Sequence, residues 1–174
     1  LATILLTLPF PFLNRHLTVV TALTIGTPAF FLALLPNTER FRPGFFRRVL
    51  VFAIPCGLVC ALSAYATYGY VLQYTDGDID SARTAAVTTL FIVAWWILMQ
   101  VAKPWDLIRL GICAAMLVGF LGVLYIPPLS NLFQMSWSPD HDGRAALAIG
   151  IVGATIVSLL HAFVIQGQQR AGGD

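Results

Sequence analysis

The residues with the most chemical promise sit inside an apolar stretch: Thr18, Thr21, Thr24, Gly26, Thr27 and Pro28. Pro28 has no amide proton to give to the carbonyl four residues back, and its ring crowds that carbonyl. Thr24 C=O is therefore expected to lose its helical partner. Gly26 lowers the cost of unwinding nearby. At about 100° per residue, Thr21, Thr24 and Pro28 fall within about 60° of one another on a helix. One side of such a helix offers hydroxyl oxygens and a freed carbonyl, which are the hard donors that cations favour and that broken membrane helices use to hold ions. The plainer reading is a proline kink whose threonine hydroxyls bond back to their own helix.

Other candidates carry weaker chemistry. Cys56 and Cys60 lie one helical turn apart beside Pro55. Paired thiolates suit a soft metal such as Cu(I), but small cysteines pack well in cores, and core packing is the expected role here. Cys113 stands alone and reads as packing, and three cysteines make no disulfide framework. His161 has no charged neighbour in sequence, so a hydrogen bond to another helix is expected rather than a proton relay. Asp140-His141-Asp142 and the alternating Asp76, Asp78 and Asp80 read as solvated loops, because no calcium-loop spacing is present. No firm metal site is expected. Nothing in the apolar stretches pairs two aspartates or a serine with a histidine, which argues against an intramembrane hydrolase.

The elements that must position these residues follow from composition. The chain has 174 residues, 58% hydrophobic and 10% charged. A soluble domain needs about 25% charged residues to cover its surface. Uncharged runs cover 17–38, 49–75, 84–102 and 110–139, and a further run, 145–169, is interrupted only by His161. About 20 residues at about 1.5 Å each cross a hydrocarbon core of about 30 Å. In lipid a single segment can satisfy its backbone only as a helix. The expected fold is thus an all-α membrane protein. It has five full transmembrane helices, at about 17–35, 49–72, 85–101, 107–125 and 145–165, plus an N-terminal partial helix at 1–8. A globular enzyme and a disordered tail are excluded. A net charge of +2 gives no field that would attract nucleic acid. The stub 1–8 is too short to span and stops at Pro9, as expected for the last turns of a helix that begins upstream, so a fragment is expected.

Basic residues set the expected orientation. Arg40, Arg42, Arg47, Arg48, Lys103, Arg109 and Arg170 fall on one side, and Arg15, Arg83 and Arg144 on the other. The richer side is expected to be cytoplasmic, with the C-terminus inside a cell membrane. Small residues recur every four positions in the last span, at Ala146, Gly150, Ala154, Ser158 and Ala162. They do so again in the fourth, at Gly111, Ala115 and Gly119. Such stripes let backbones approach closely in lipid. They are expected to dock the last spans on each other or on further helices. Trp95, Trp96, Trp105 and Trp137 suit interfacial or lipid-facing positions. Leu129, Leu132 and Phe133 suggest a short interfacial segment.

Several segments carry a family resemblance. Pro9-Phe10-Pro11-Phe12-Leu13-Asn14-Arg15-His16-Leu17-Thr18, then Ala22-Leu23-Thr24-Ile25-Gly26-Thr27-Pro28-Ala29-Phe30-Phe31-Leu32-Ala33-Leu34 and Pro36-Asn37, resemble a stretch of P-type cation-transporting ATPases. That stretch runs from the end of the fifth transmembrane helix through the sixth. Arg40-Phe41-Arg42-Pro43-Gly44-Phe45 is similar to the link before the seventh helix. Ala82-Arg83-Thr84-Ala85-Ala86-Val87-Thr88-Thr89-Leu90 resembles the start of the eighth. Tyr125-Ile126-Pro127-Pro128-Leu129, with Phe133, resembles the segment between the ninth and tenth. Within the family the chain most resembles bacterial cation pumps, with the actinobacterial calcium-type transporters as one candidate subgroup.

The resemblance implies a C-terminal transmembrane domain covering 1–174. It would support the transport helices and supply part of the ion pathway through Thr21, Thr24 and Pro28, with unwinding at Gly26 and Pro28. The cation would be a metal ion, calcium among the candidates. The family's phosphorylated aspartate lies in a D-K-T-G motif absent from these residues, so this chain alone hydrolyses no ATP. ATP and Mg would be handled by the missing N-terminal part of the pump, which joins membrane lipid as a partner. Calcium-type members place an acidic residue before Gly-x-Pro, where Ile25 stands here, and another on the eighth helix near Ala94. Charged ligands would therefore come from outside the chain. The rival reading is a free-standing multi-pass protein without enzymatic activity, acting as an assembly partner or small channel. An in-frame D-K-T-G region in the upstream DNA separates the two.

Overall fold

A computed structural model describes residues 12–34, 45–74, 78–103, 106–135 and 141–171. Helix α1 covers Asn14–Thr21, a π-helical turn covers Ala22–Gly26, and α2 covers Thr27–Ala33. Then come α3 (Phe45–Tyr74), α4 (Ile79–Val101), α5 (Leu107–Tyr125), the short α6 (Pro127–Phe133) and α7 (His141–Ala171). No strand occurs among the described residues. Five helices are long and apolar enough to cross a membrane: Asn14–Ala33, Val49–Tyr74, Ile79–Val101, Leu107–Tyr125 and Gly143–Ala162. The expected stub at 1–8 lies outside the described residues.

Helix ends run past the apolar runs because polar residues cap them. The Asp78 side chain accepts from the Asp80 amide at 3.2 Å, which starts α4 well before the apolar run. Pro127 and Pro128 occupy the first turn of α6, where no amide donor is needed. Gln134 ends that helix in the left-handed region, at φ 52° and ψ 49°. The Met135 amide then reaches back to Ser130 O at 2.9 Å, closing a Schellman-type stop.

Helix α4 is the hub. Half of its apolar window is buried, against 17–28% in the other spans. It packs along both α3 and α7, which also pack along each other. Tyr68, Val71, Ala82, Ala85, Ala86 and Ala146 form one core of this trio, and Cys56, Val93 and Val157 a second. On its other side, α4 meets the first span and α5. There Val19, Val20, Val87, Phe91, Phe120 and Met135 share a core, with the Phe91 and Phe120 rings stacked at 3.8 Å.

The outward faces carry large apolar side chains. Ile25, Leu62, Leu107 and Val118 are each more than 60% exposed. Such apolar faces suit lipid or further helices as neighbours, not water.

Candidate functional site

The site begins with the break in the first span. The Thr27 amide donates to Ala22 O, five residues back, instead of to Leu23 O. Pro28 follows and has no amide proton. The Leu23 carbonyl therefore loses its donor both four and five residues ahead, and the Thr24 carbonyl loses the one four ahead. Pro28 suffers little, because it sits in the first turn of α2. The sequence pointed to the kink, the Thr24 carbonyl and Gly26. It did not reveal the π turn, which extends the opening to Leu23. Such turns are rare inside α-helices and recur at functional sites.

The three candidate residues differ in setting. Thr24 and Pro28 are buried, while Thr21 is exposed together with Ala22, Ile25 and Gly26. A turn closed over five residues advances fewer degrees per residue than an α-turn, which moves Thr21 away from Thr24. The Thr24 hydroxyl donates to Val20 O at 2.7 Å. That bond uses its proton and leaves oxygen lone pairs to face a cation. Ile25, 64% exposed, sits beside Thr21 on the uncovered side.

Helix α5 backs the turn through Gly119. A methyl group there would lie 3.3 Å from Leu23 Cδ2. Gly111 and Ala115 make no comparable approach: nothing lies within 4 Å of a Cβ at Gly111, and Ala115 is exposed. The stripe on α7 docks on α4 and α3, not on α5 as the sequence had allowed. Ala146 is fully buried, and a Cβ at Gly150 would meet Ile92 at 3.1 Å. Ala154 accepts from the Ser158 hydroxyl at 3.0 Å, and Ser158 in turn accepts from Trp96 Nε1 at 2.7 Å. The tightest approach is at Gly153, outside the four-residue stripe. A Cβ there would stand 2.7 Å from Ser63 Oγ and 2.8 Å from Val93 Cγ2.

Polar groups missed in the sequence tie the helices together. Thr67 of α3 and Thr89 of α4 share a hydrogen bond at 2.9 Å, and Thr89 also reaches Ala146 O of α7 at 3.2 Å. Their signal was threonine inside apolar spans, which reads equally well as local back-bonding. Trp95 and Trp96 are not lipid-facing anchors. Trp95 donates to Cys113 O of α5 at 2.9 Å, while its neighbour serves Ser158 of α7. Trp105 and Trp137 lie outside the described residues. His161 meets the Phe52 ring edge-on at 5.3 Å. Cys56 and Cys113 are buried in apolar clusters, and no three metal-ligating side chains gather among the described residues.

At the far end of the first span, α1 meets α6. Arg15 Nη1 donates to Leu132 O at 3.2 Å, and His16 Nε2 lies 2.9 Å from Phe133 O. A carbonyl can only accept, so Nε2 carries the ring proton. Nδ1 then holds a lone pair, buried and without a hydrogen-bond partner among the described residues.

A broken membrane helix backed by close-packed spans invites comparison with ion pumps. No family model and no solved structure matches the chain. Calcium-transporting ATPase CtpE of Mycobacterium bovis is 36% identical over 154 residues, covering 87% of this chain and 19% of the relative. The proteins of the same name from Mycobacterium tuberculosis and Mycolicibacterium smegmatis are 36% and 35% identical over the same length. This chain is homologous to the membrane part of a P-type calcium-transporting ATPase. It spans about a fifth of the length of these relatives. Beside this calcium-ATPase homology, the five spans make it a multi-pass membrane protein.

Proposed function

We propose that this chain is the C-terminal transmembrane domain of an ATP-driven cation pump, with calcium as its cargo. Its packed helices hold the first span in place, and the π turn contributes part of the ion pathway. The observation that carries this reading is the pair of carbonyls, Leu23 and Thr24, deprived of their α-helical donors inside a membrane-length helix. Calcium takes six to eight oxygens. Backbone carbonyls and the Thr21 and Thr24 hydroxyls supply a minority of them.

Carboxylates must complete the set, and this chain has none to offer at that depth. Its acidic residues stand at 39, 76, 78, 80, 106, 140, 142 and 174. The charged ligands, like the handling of ATP and Mg, belong to the remainder of the pump. The basic bias among the loops supports a cytoplasmic C-terminus in the cell membrane.

The test uses the full-length protein that carries this segment. Thr21→Ala combined with Thr24→Ala is expected to raise the half-saturating calcium for ATPase activity on the order of tenfold, the equivalent of about 1.4 kcal/mol. Pro28→Ala, which restores an amide donor for Thr24 O, is expected to shift it in the same direction. Unchanged apparent affinity in both variants removes these residues from the pathway.

A further inference from the structure

The four carbonyls that end α6 are all accounted for. A helix leaves its last four carbonyls without intrahelical donors. Here Ser130 O accepts from the Met135 amide at 2.9 Å and Asn131 O from the Gln134 amide at 3.2 Å. The remaining two, Leu132 O and Phe133 O, accept from Arg15 and His16 of α1. The stop of one helix is thus completed by side chains of another, 117 residues away in sequence. Basic groups at a helix C-terminus also oppose its negative dipole end.

His16 makes the stronger half of this clasp. It is 1% exposed, against an exposed Arg15, and its bond to Phe133 O is the shorter. Burying an imidazole whose Nδ1 has no partner among the described residues costs free energy, so packing alone does not explain a histidine here. Below it, Val19 and Val20 lie in the core shared with α4, α5 and Met135. The outer part of the first span is therefore held on three sides. The π turn follows at once, about 12 Å from His16 along the axis at 1.5 Å per residue. Past the turn, Phe30, Phe31 and Leu34 are exposed, at 62%, 44% and 67%.

We propose that His16 is a positioning residue for the cation-pathway turn: by clasping the end of α6 it fixes where the Leu23 and Thr24 oxygens stand. The inference rests on the pump reading given above. A helix whose hydrogen bonding lapses at Leu23 transmits position poorly through the gap, so the turn takes its placement from the clasped segment above it. The clasp and the break act together: one end is held, and the joint lies next to the hold.

Two substitutions separate position from mere stability. His16→Gln keeps an N–H near the place of Nε2, and His16→Leu removes it while keeping bulk. In the full-length protein, His16→Leu is expected to speed backbone hydrogen exchange across residues 22–26 at least tenfold. It is also expected to raise half-saturating calcium about fivefold with kcat retained, and His16→Gln is expected to return both to within about twofold of wild type. Unchanged exchange in His16→Leu overturns the proposal. So does faster exchange with unaltered calcium dependence, because the clasp then fails to reach the site. Equal loss in Gln and Leu variants also overturns it, since the donor is then irrelevant. Failure of the pump reading shows separately, as a wild-type ATPase without calcium dependence, and the exchange comparison of the two variants still decides the clasp.

Discussion

Glycine at 153 shows how much one missing methyl group decides. Val93 is β-branched and has little rotamer freedom, so Gly153→Ala must push α7 away from α3 and α4. The expected cost is about 1–3 kcal/mol, as for other overpacked cores, read as a lower midpoint in thermal unfolding of the detergent-solubilised chain. Gly111→Ala meets open space and is expected to be neutral or to stabilise by up to about 1 kcal/mol through helix propensity. Both glycines are in plain view in the sequence, and the four-residue rule marks Gly111 but not Gly153. Gly111 belongs to a regular stripe but meets nothing within 4 Å among the described residues. Gly153 lies three residues past Gly150, and only the position of Val93 on another helix gives it meaning. The same limit hid Thr89, since a threonine in an apolar span looks alike whether it serves its own helix or a neighbour. The Thr24–Pro28 region was legible because proline chemistry is local and needs no partner to be read.

Among the elements, α6 is one of the shortest, and each of its last four carbonyls has a donor. Gln134 holds a left-handed conformation that costs an L-residue with a Cβ about 1–2 kcal/mol. Gln134→Gly is therefore expected to raise the unfolding midpoint, and Gln134→Val to lower it and loosen the contact with Arg15 and His16. Amide exchange at Met135, whose proton closes the stop, is the measurement. Apolar residues and paired prolines were enough to suggest a short segment at 127–133. Its role in holding the first span was not legible, because the bonds run from side chains of α1 to backbone groups that no sequence pattern marks. The spans themselves were readable for the opposite reason: lipid imposes length and apolarity on each helix separately. The π turn stood between these cases. Its cause, Pro28, was visible, while the close approach of Leu23 to Gly119 of α5 was not.

At the scale of the whole molecule, alternating loops put 78 and 103 at opposite ends of α4. If the basic loops are cytoplasmic, Asp78→Cys reacts with an impermeant thiol reagent added outside the cell and Lys103→Cys does not. The reverse pattern of labelling inverts the orientation. The architecture also places burial unevenly. Helix α4 is half buried, whereas the first span and α5 leave Thr21, Ile25 and Gly111 exposed.

The central place of α4 has a consequence for the order in which the protein is made. Its two main partners are α3, which precedes it, and α7, which follows it by about 40 residues. At about 5–20 residues per second, several seconds separate completion of α4 from the arrival of α7. During that interval the Thr89 hydroxyl lacks its Ala146 acceptor, and the groove that will receive Gly150 and Gly153 stands open to lipid or to the insertion machinery. The best-protected helix of the folded chain thus gains one main neighbour at once and waits several seconds for the other.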